Sequence, residues 1–195
     1  GGTPIIAPVL RDFSGNNITS IKAIINGTTN YILSRMSTEN ADYFEVLKDA
    51  QKLGYAESDP TNDVEGIDAA YKLSILSSLS YKSFVKDSDV YCEGITNISA
   101  KDFQIAKELG YEIKLIAFSE FKDNKVSARV HPTLISKNQM LANVHGVLNS
   151  VQIETDLIGE VLFHGAGAGS LPTASAVLAD VIDISRNISS GFVNL

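Results

Sequence analysis

Residues 54–76 read GYAESDPTNDVEGIDAAYKLSIL. The stretch opens with a loop rich in acids, Glu57, Asp59, Asp63 and Glu65, and runs into a segment that is apolar or small nearly throughout. Between Ile67 and Tyr81 the only charged side chains are Asp68 and Lys72. Four residues apart, they share one face of a helix. A solvated helix spreads many charges along its outer face, and this one does not. Its content of Ile67, Ala69, Ala70, Leu73, Ile75, Leu76 and Leu79 predicts burial on most sides. The rest of the chain must then supply layers that cover this helix. Charges on a buried helix are costly unless paired, so the two that remain require a reason.

Two readings of the pair stand side by side. An ordinary intrahelical ion pair is the commonplace one. The sharper one turns Asp68 and Lys72 toward a cleft beside the acidic loop. Five carboxylates within twelve residues, facing one lysine, suit a small cationic or zwitterionic substrate. The lysine can donate to a carbonyl or alcohol oxygen while a neighbouring carboxylate holds it in place.

Upstream, Asp42 to Leu53 reads as an amphipathic helix with Phe44, Leu47, Ala50 and Leu53 on one face, ended by Gly54. Before it, Ile18 to Ile25 alternates as a strand and leads into Asn26-Gly27-Thr28-Thr29. Gly27 permits a tight turn there, and a threonine can cap a helix running through Met36. That turn is a plain strand-to-helix connection, or a helix start whose free N–H groups attract a carboxylate. Pro4 to Phe13 reads as a short helix with proline in its first turn.

Downstream, a helix over Lys101 to Leu109 starts at Ser99 or Ala100 and closes at Gly110. The period then changes to two. Tyr111 to Phe121 and Lys125 to Leu134 form a hairpin around Lys122-Asp123-Asn124, and Asn143 to Ile153 and Gly159 to Phe163 continue the strands. Helices followed by a run of strands predict an α+β fold, a mixed and largely antiparallel sheet with helices packed on one face, as a single domain over 1–195. The chain closes on HGAGAG (164–169) and a helix from about Leu171 to Arg186. Alone, that glycine run is weak evidence for phosphate binding, because it lacks the βαβ context of a dinucleotide fingerprint.

Composition bounds the function. A net charge of −7 argues against nucleic acid as the main partner. No run reaches transmembrane length. The single Cys92 excludes an internal disulfide and fits a reducing cytosol, so a cytoplasmic protein is expected. His131, His145 and His164 show no metal-ligand spacing, and the acidic loop lacks the spacing and glycine of a calcium loop. The chain begins Gly1-Gly2-Thr3 without methionine, as a piece of a longer protein does.

GYAESDPTNDVEGIDAAYK closely resembles the signature of the homoserine dehydrogenase family. IINGTTNYILSRM, ARVHPTLI, ANVHGVLNSV and GAGAGSLPTASAVLADVIDISRN are similar to further blocks of that family in family order, from Pro4 to Asn187. The resemblance implies an oxidoreductase of amino-acid biosynthesis, interconverting L-homoserine and L-aspartate 4-semialdehyde with NAD or NADP. It implies Lys72 and Asp68 as the catalytic pair, and Glu57 and Asp63 as holders of the substrate ammonium. Gly27 and Thr28 would lie at the substrate, and Tyr55 would shape the pocket. Gly165, Gly167 and Gly169 would lie near the cofactor. A monovalent cation is implied at backbone carbonyls of the segment ending in Gly1 and Thr3. The family places a nucleotide-binding domain before this region and forms homodimers through its strands. An isolated chain is accordingly expected to be inactive, or to serve as a dimerisation and amino-acid-binding module.

Overall fold

A computed structural model describes residues 2–191. The elements run β1 (Ile18–Ile24), α1 (Gly27–Glu39), α2 (Tyr43–Lys52), α3 (Thr61–Val64), α4 (Ile67–Tyr81), β2 (Tyr91–Cys92), α5 (Ala100–Glu108), β3 (Tyr111–Lys122), β4 (Lys125–Ser136), β5 (Leu148–Thr155), β6 (Glu160–Ala166) and α6 (Ser170–Ser189). The strands make one sheet in the order β2-β4-β3-β1-β5-β6. Only β2 with β4 is a parallel pair among the described residues. The fold is α+β with a mixed, mainly antiparallel sheet, as the periodicities require.

Alternation along the strands divides the sheet into two faces. Ile21 and Ala23 of β1, Ile113, Leu115 and Ala117 of β3, and Val151 and Ile153 of β5 enter the main core. They meet Ile32, Leu33 and Met36 of α1, Ala69, Leu73 and Leu76 of α4, and Phe103 and Ala106 of α5. The opposite face carries a second, smaller core of Ile24, Ile116, Leu141 and Val144 under a short 3-10 turn, Met140–Asn143. The β3–β4 hairpin closes at Lys122↔Lys125. Asp123 and Asn124 take φ of 51° and 59°, the left-handed pair that matches the twist of a two-residue hairpin.

Several local expectations shift. The N-terminal helical turn is Pro8–Asp12 and of π type, with the Phe13 N–H reaching the carbonyl of Pro8. Helix α1 is capped by Asn26, not by a threonine, because the Asn26 carboxamide oxygen lies 2.9 Å from the N–H of Thr29. On α2 the buried residues are Tyr43, Val46 and Ala50, while Phe44 and Leu53 stand exposed. Spacing of three and four permits either stripe, and the Asp42 cap sets the phase. Two short elements escape the periodicity, α3 within the acidic loop and β2 on the sheet edge. Strand β6 runs on through Gly165, and Asn143 ends the 3-10 turn while residues 144–147 are loop instead of strand.

Helix α4 is buried on one side, by Ala69, Ala70, Leu73, Leu76, Ser77 and Tyr81, and open on the other, where Tyr71 and Ile75 are about half exposed. Gly66 caps it at φ 79°, and a Cβ there would meet Cys92 Sγ at 3.1 Å and Val130 at 3.2 Å. Helix α6 buries nothing. Its Leu171, Val177, Leu178, Val181, Ile184 and Ile188 are exposed, an apolar face without a partner among the described residues.

Candidate functional site

Strand β1 delivers the chain to Ile25 and Asn26 at the base of a cleft of about 540 Å³. Its lining includes Asn26, Gly27 and Thr28 from the start of α1, Gly54 and Tyr55 from the acid-rich loop, and Asp63, Asp68 and Lys72 from α3 and α4. Val147, Asn149, Gly167 and Gly169 close the other side. A larger open concavity runs along α6, lined by that helix and its preceding glycine and without a charged group, so the chemistry lies in the smaller cleft.

The polar centre is a connected set. Lys72 Nζ donates to Asp68 Oδ2 at 2.6 Å and to the carbonyl of Ile25 at 3.1 Å. The Asn26 carboxamide donates to Asp63 Oδ1 at 2.6 Å and to Asp68 Oδ2 at 3.0 Å. Asn26 is buried, and its oxygen accepts from both the N–H and the hydroxyl of Thr29. The commonplace and the sharp readings of Asp68 and Lys72 are therefore both true. The two form an i,i+4 ion pair, and the pair lines a cleft.

The other acids go elsewhere. Asp59 accepts from the N–H and hydroxyl of Thr61, which hold its carboxyl below the usual range. Glu65 accepts from the Thr96 hydroxyl at 3.1 Å. Glu57 is exposed and its side chain is not in the cleft lining; its backbone carbonyl accepts from Gln51. Of the five carboxylates, two thus face the lysine.

The turn at 26–29 is tied to both walls. The Thr28 hydroxyl donates to the carbonyl of Tyr55 at 2.7 Å, and the Tyr55 ring lies 4.8 Å from that of Tyr31. Asn30 Nδ2 approaches the carbonyls of Val144, Gly146 and Leu148 at 3.2, 2.9 and 3.1 Å, anchoring the loop that carries Val147. A Cβ at Gly27 would stand 2.9 Å from the Val147 carbonyl, so that position needs a glycine for close approach. As first-turn groups of a 13-residue helix, the N–H of Gly27 and that of Thr28 have no intrahelical partner.

Beside the cleft lies an apolar pocket of about 280 Å³ walled by Ile5, Ile6, Ile25, Ile75, Leu76 and Val151. Lys72, Asn149 and Gly167 belong to both cavities. The Asn149 Oδ1 is buried without a hydrogen-bond partner among the described residues. A Cβ at Gly167 would fall 1.9 Å from Asn149 Nδ2, so the missing side chain makes room for that carboxamide. Gly165 pairs with Asn149 in the sheet, and Gly169 precedes α6 at φ 121°. Of the residues implied for a cation, Gly1 lies outside the described residues, and the Thr3 hydroxyl donates to the carbonyl of Ala166 at 3.3 Å. Among the described residues no group of three or more His, Cys, Asp or Glu is placed to hold a metal, and no helix is long and apolar enough to cross a membrane.

Sequence reasoning missed Asn26 and Asn149. Asn26 carried a legible signal, since asparagine before Gly-Thr-Thr is a favoured cap. Asn149 carried none, because its role depends on the approach of β6.

The family model described as homoserine dehydrogenase matches residues 4–182. A homoserine dehydrogenase of Synechocystis is 52% identical over 198 residues, covering 100% of this chain and 46% of the relative. That of Neisseria gonorrhoeae is 48% identical over 190 residues, covering 97% of this chain and 44% of its own length. Among solved structures, a homoserine dehydrogenase from Thiobacillus denitrificans superposes with a TM-score of 0.94 at 47% identity, covering 97% of this chain and 44% of that one. A hyperthermophilic archaeal homoserine dehydrogenase in complex with NADPH gives a TM-score of 0.81 at 33% identity, covering 100% of this chain and 54% of its own. The chain spans about half the length of the relatives it matches. With a family model over residues 4–182 and near-complete coverage at about half identity, this chain belongs to the homoserine dehydrogenase family.

Proposed function

We propose that this chain is the substrate-binding and catalytic part of a homoserine dehydrogenase, interconverting L-homoserine and L-aspartate 4-semialdehyde with NAD or NADP in threonine, methionine and isoleucine biosynthesis. The observation that carries this reading is the convergence of Asp63, Asp68 and Lys72 on one cleft beside the start of α1. An amino-acid substrate bears an ammonium, a carboxylate and a reacting oxygen. Asp63 is the carboxylate available to the ammonium within the cleft. Glu57 joins it on the strength of the family motif, two residues from Tyr55 in the same loop. The open N–H groups of Gly27 and Thr28 suit the substrate carboxylate. Lys72 donates to the reacting oxygen and delivers its proton when the aldehyde becomes an alcohol, or takes it back in reverse. Asp68 orients Lys72.

The residues present fit a nicotinamide. The apolar pocket suits its ring, the orphaned Asn149 carboxamide suits its amide, and Lys72 links that pocket to the substrate cleft. Gly167 and Gly169 let the backbone approach, and Gly165 belongs to the same block. The chemistry that NAD(P) supplies when bound is hydride transfer at the carbon bearing the reacting oxygen. The rest of the cofactor needs a nucleotide-binding domain, so the 195 residues alone are proposed to bind substrate without turning it over. The reading implies a cytoplasmic protein and a homodimer, with the strand-rich region from Tyr111 to Phe163 extending its sheet across a two-fold axis.

Calorimetric titration of the chain with L-homoserine tests this, with the Lys72→Ala/Glu57→Gln double variant as control. Binding by wild type and not by the variant supports the assignment. A folded wild type that takes up no homoserine leaves the chain as a dimerisation module and refutes a preformed substrate site.

A further inference from the structure

Two carboxylates that face one cleft repel each other, and a single neutral group lies between them. The Asn26 carboxamide gives one hydrogen to Asp63 Oδ1 at 2.6 Å and the other to Asp68 Oδ2 at 3.0 Å. Its orientation is fixed from behind, because Oδ1 accepts from the Thr29 N–H at 2.9 Å and the Thr29 hydroxyl at 3.0 Å. A flipped amide would set an acceptor against both carboxylates and a donor against the N–H of Thr29, so only one orientation is stable. Asp68 Oδ2 is also the oxygen that accepts from Lys72 at 2.6 Å. Asn26 and Lys72 thus share one acceptor.

We infer that Asn26 is a positioning residue of the reaction, a neutral bridge that seats Asp63 and Asp68 side by side and shares Asp68 with Lys72. This rests on the functional reading above and deepens it. The bridge leaves Asp63 free on its other oxygen to meet the substrate ammonium. It also loosens the hold of Asp68 on Lys72, so that the lysine can turn its proton toward a substrate oxygen. The same side chain starts α1, whose first N–H groups face the cleft, so one residue sets the relative position of the ammonium, carboxylate and proton-transfer points.

The test must separate bridging from capping. Serine and aspartate both cap helices well, and neither reproduces the amide hydrogens. Asn26→Ser in the 195-residue chain is therefore expected to melt within a few degrees of wild type, whereas Asn26→Asp sets a third carboxylate against Asp63 and Asp68 and is expected to melt lower. Acetylation of Lys72 by limiting acetic anhydride, read by peptide mass spectrometry, needs no ligand. In Asn26→Ser it is expected to slow at least about threefold, because Lys72 then has Asp68 Oδ2 to itself. Homoserine affinity should fall roughly tenfold or more in both variants, the scale of a hydrogen bond to a charged group. Wild-type acetylation of Lys72 in a folded Asn26→Ser variant would overturn the bridge. Absence of homoserine binding by wild type, with Lys72 acetylation slowed in the variant, would refute the substrate reading and leave the bridge standing.

Discussion

The Lys72 ammonium lies 2.6 Å from Asp68 Oδ2, one turn away along α4, and both side chains border the cleft. Lys72 is half exposed, and among the described residues its ammonium bonds to Asp68 and the Ile25 carbonyl. Its removal therefore costs little stability. In an enzyme completed with a nucleotide-binding domain, Lys72→Ala is expected to lower turnover by about 10²–10⁴, the usual share of a positioned general acid–base group. Steady-state kinetics with a melting curve on the same sample checks this; wild-type turnover in a folded variant removes Lys72 from the reaction.

Glu57 occupies a different position. It is exposed and lies outside the cleft lining, on the loop that presents Tyr55. A carboxylate that meets only the substrate ammonium contributes to ground and transition states alike. Glu57→Gln is expected to raise the KM for homoserine several-fold and leave kcat within about twofold. A changed kcat at constant KM would assign Glu57 to the chemical step.

Much of this was legible beforehand for a physical reason. Period-two alternation marks β3 and β4 because Ile113, Leu115 and Ala117, like Val126, Ala128 and Val130, turn toward the main core, and the charge-poor run of α4 marks a helix packed on the sheet. Lys72 and Asp68 stand out because charge is rare there. What stayed hidden depends on distant partners. Whether Glu65 faces the cleft or Thr96 is decided by the approach of residues 93–96, where a Cβ on Gly94 would strike the Val64 carbonyl at 2.4 Å. Ile75 reads as core and is open, since helical composition does not say which side has a neighbour.

The Gly167–Asn149 contact yields a third test. Any side chain at 167 must displace the Asn149 carboxamide, whose Nδ2 would lie 1.9 Å from a Cβ. Gly167→Ala and Asn149→Ala are each expected to weaken NADPH binding by the completed enzyme, roughly tenfold if one hydrogen bond is lost. Because both remove one feature, the double variant should bind no worse than the poorer single. NADPH fluorescence titration reads this directly, and additive losses would mean that the two act separately.

Lys114 provides a test on stability and pH. It is fully buried on the sheet face opposite the helices, where its ammonium donates to the Val144 carbonyl at 2.6 Å. Burial pushes the amine down to about 8, against the opposing pull of Glu112. The unfolded chain holds that proton up to its ordinary value of 10.5, so between about 8 and 10.5 the unfolded state binds more protons than the folded one. Stability from this group therefore rises with pH through that window, and the penalty is full below it. Lys114→Met removes the penalty, and the Val144 carbonyl keeps the Asn30 amide as a donor at 3.2 Å. At pH 7 the variant is expected to melt about 2–4 °C above wild type, the effect of ~1 kcal/mol on a chain of this size. Toward pH 10 the gap should narrow as wild type gains. Melting curves of both proteins across pH 7–10 decide it, and a gap that widens with pH would show that Lys114 is held charged by a partner.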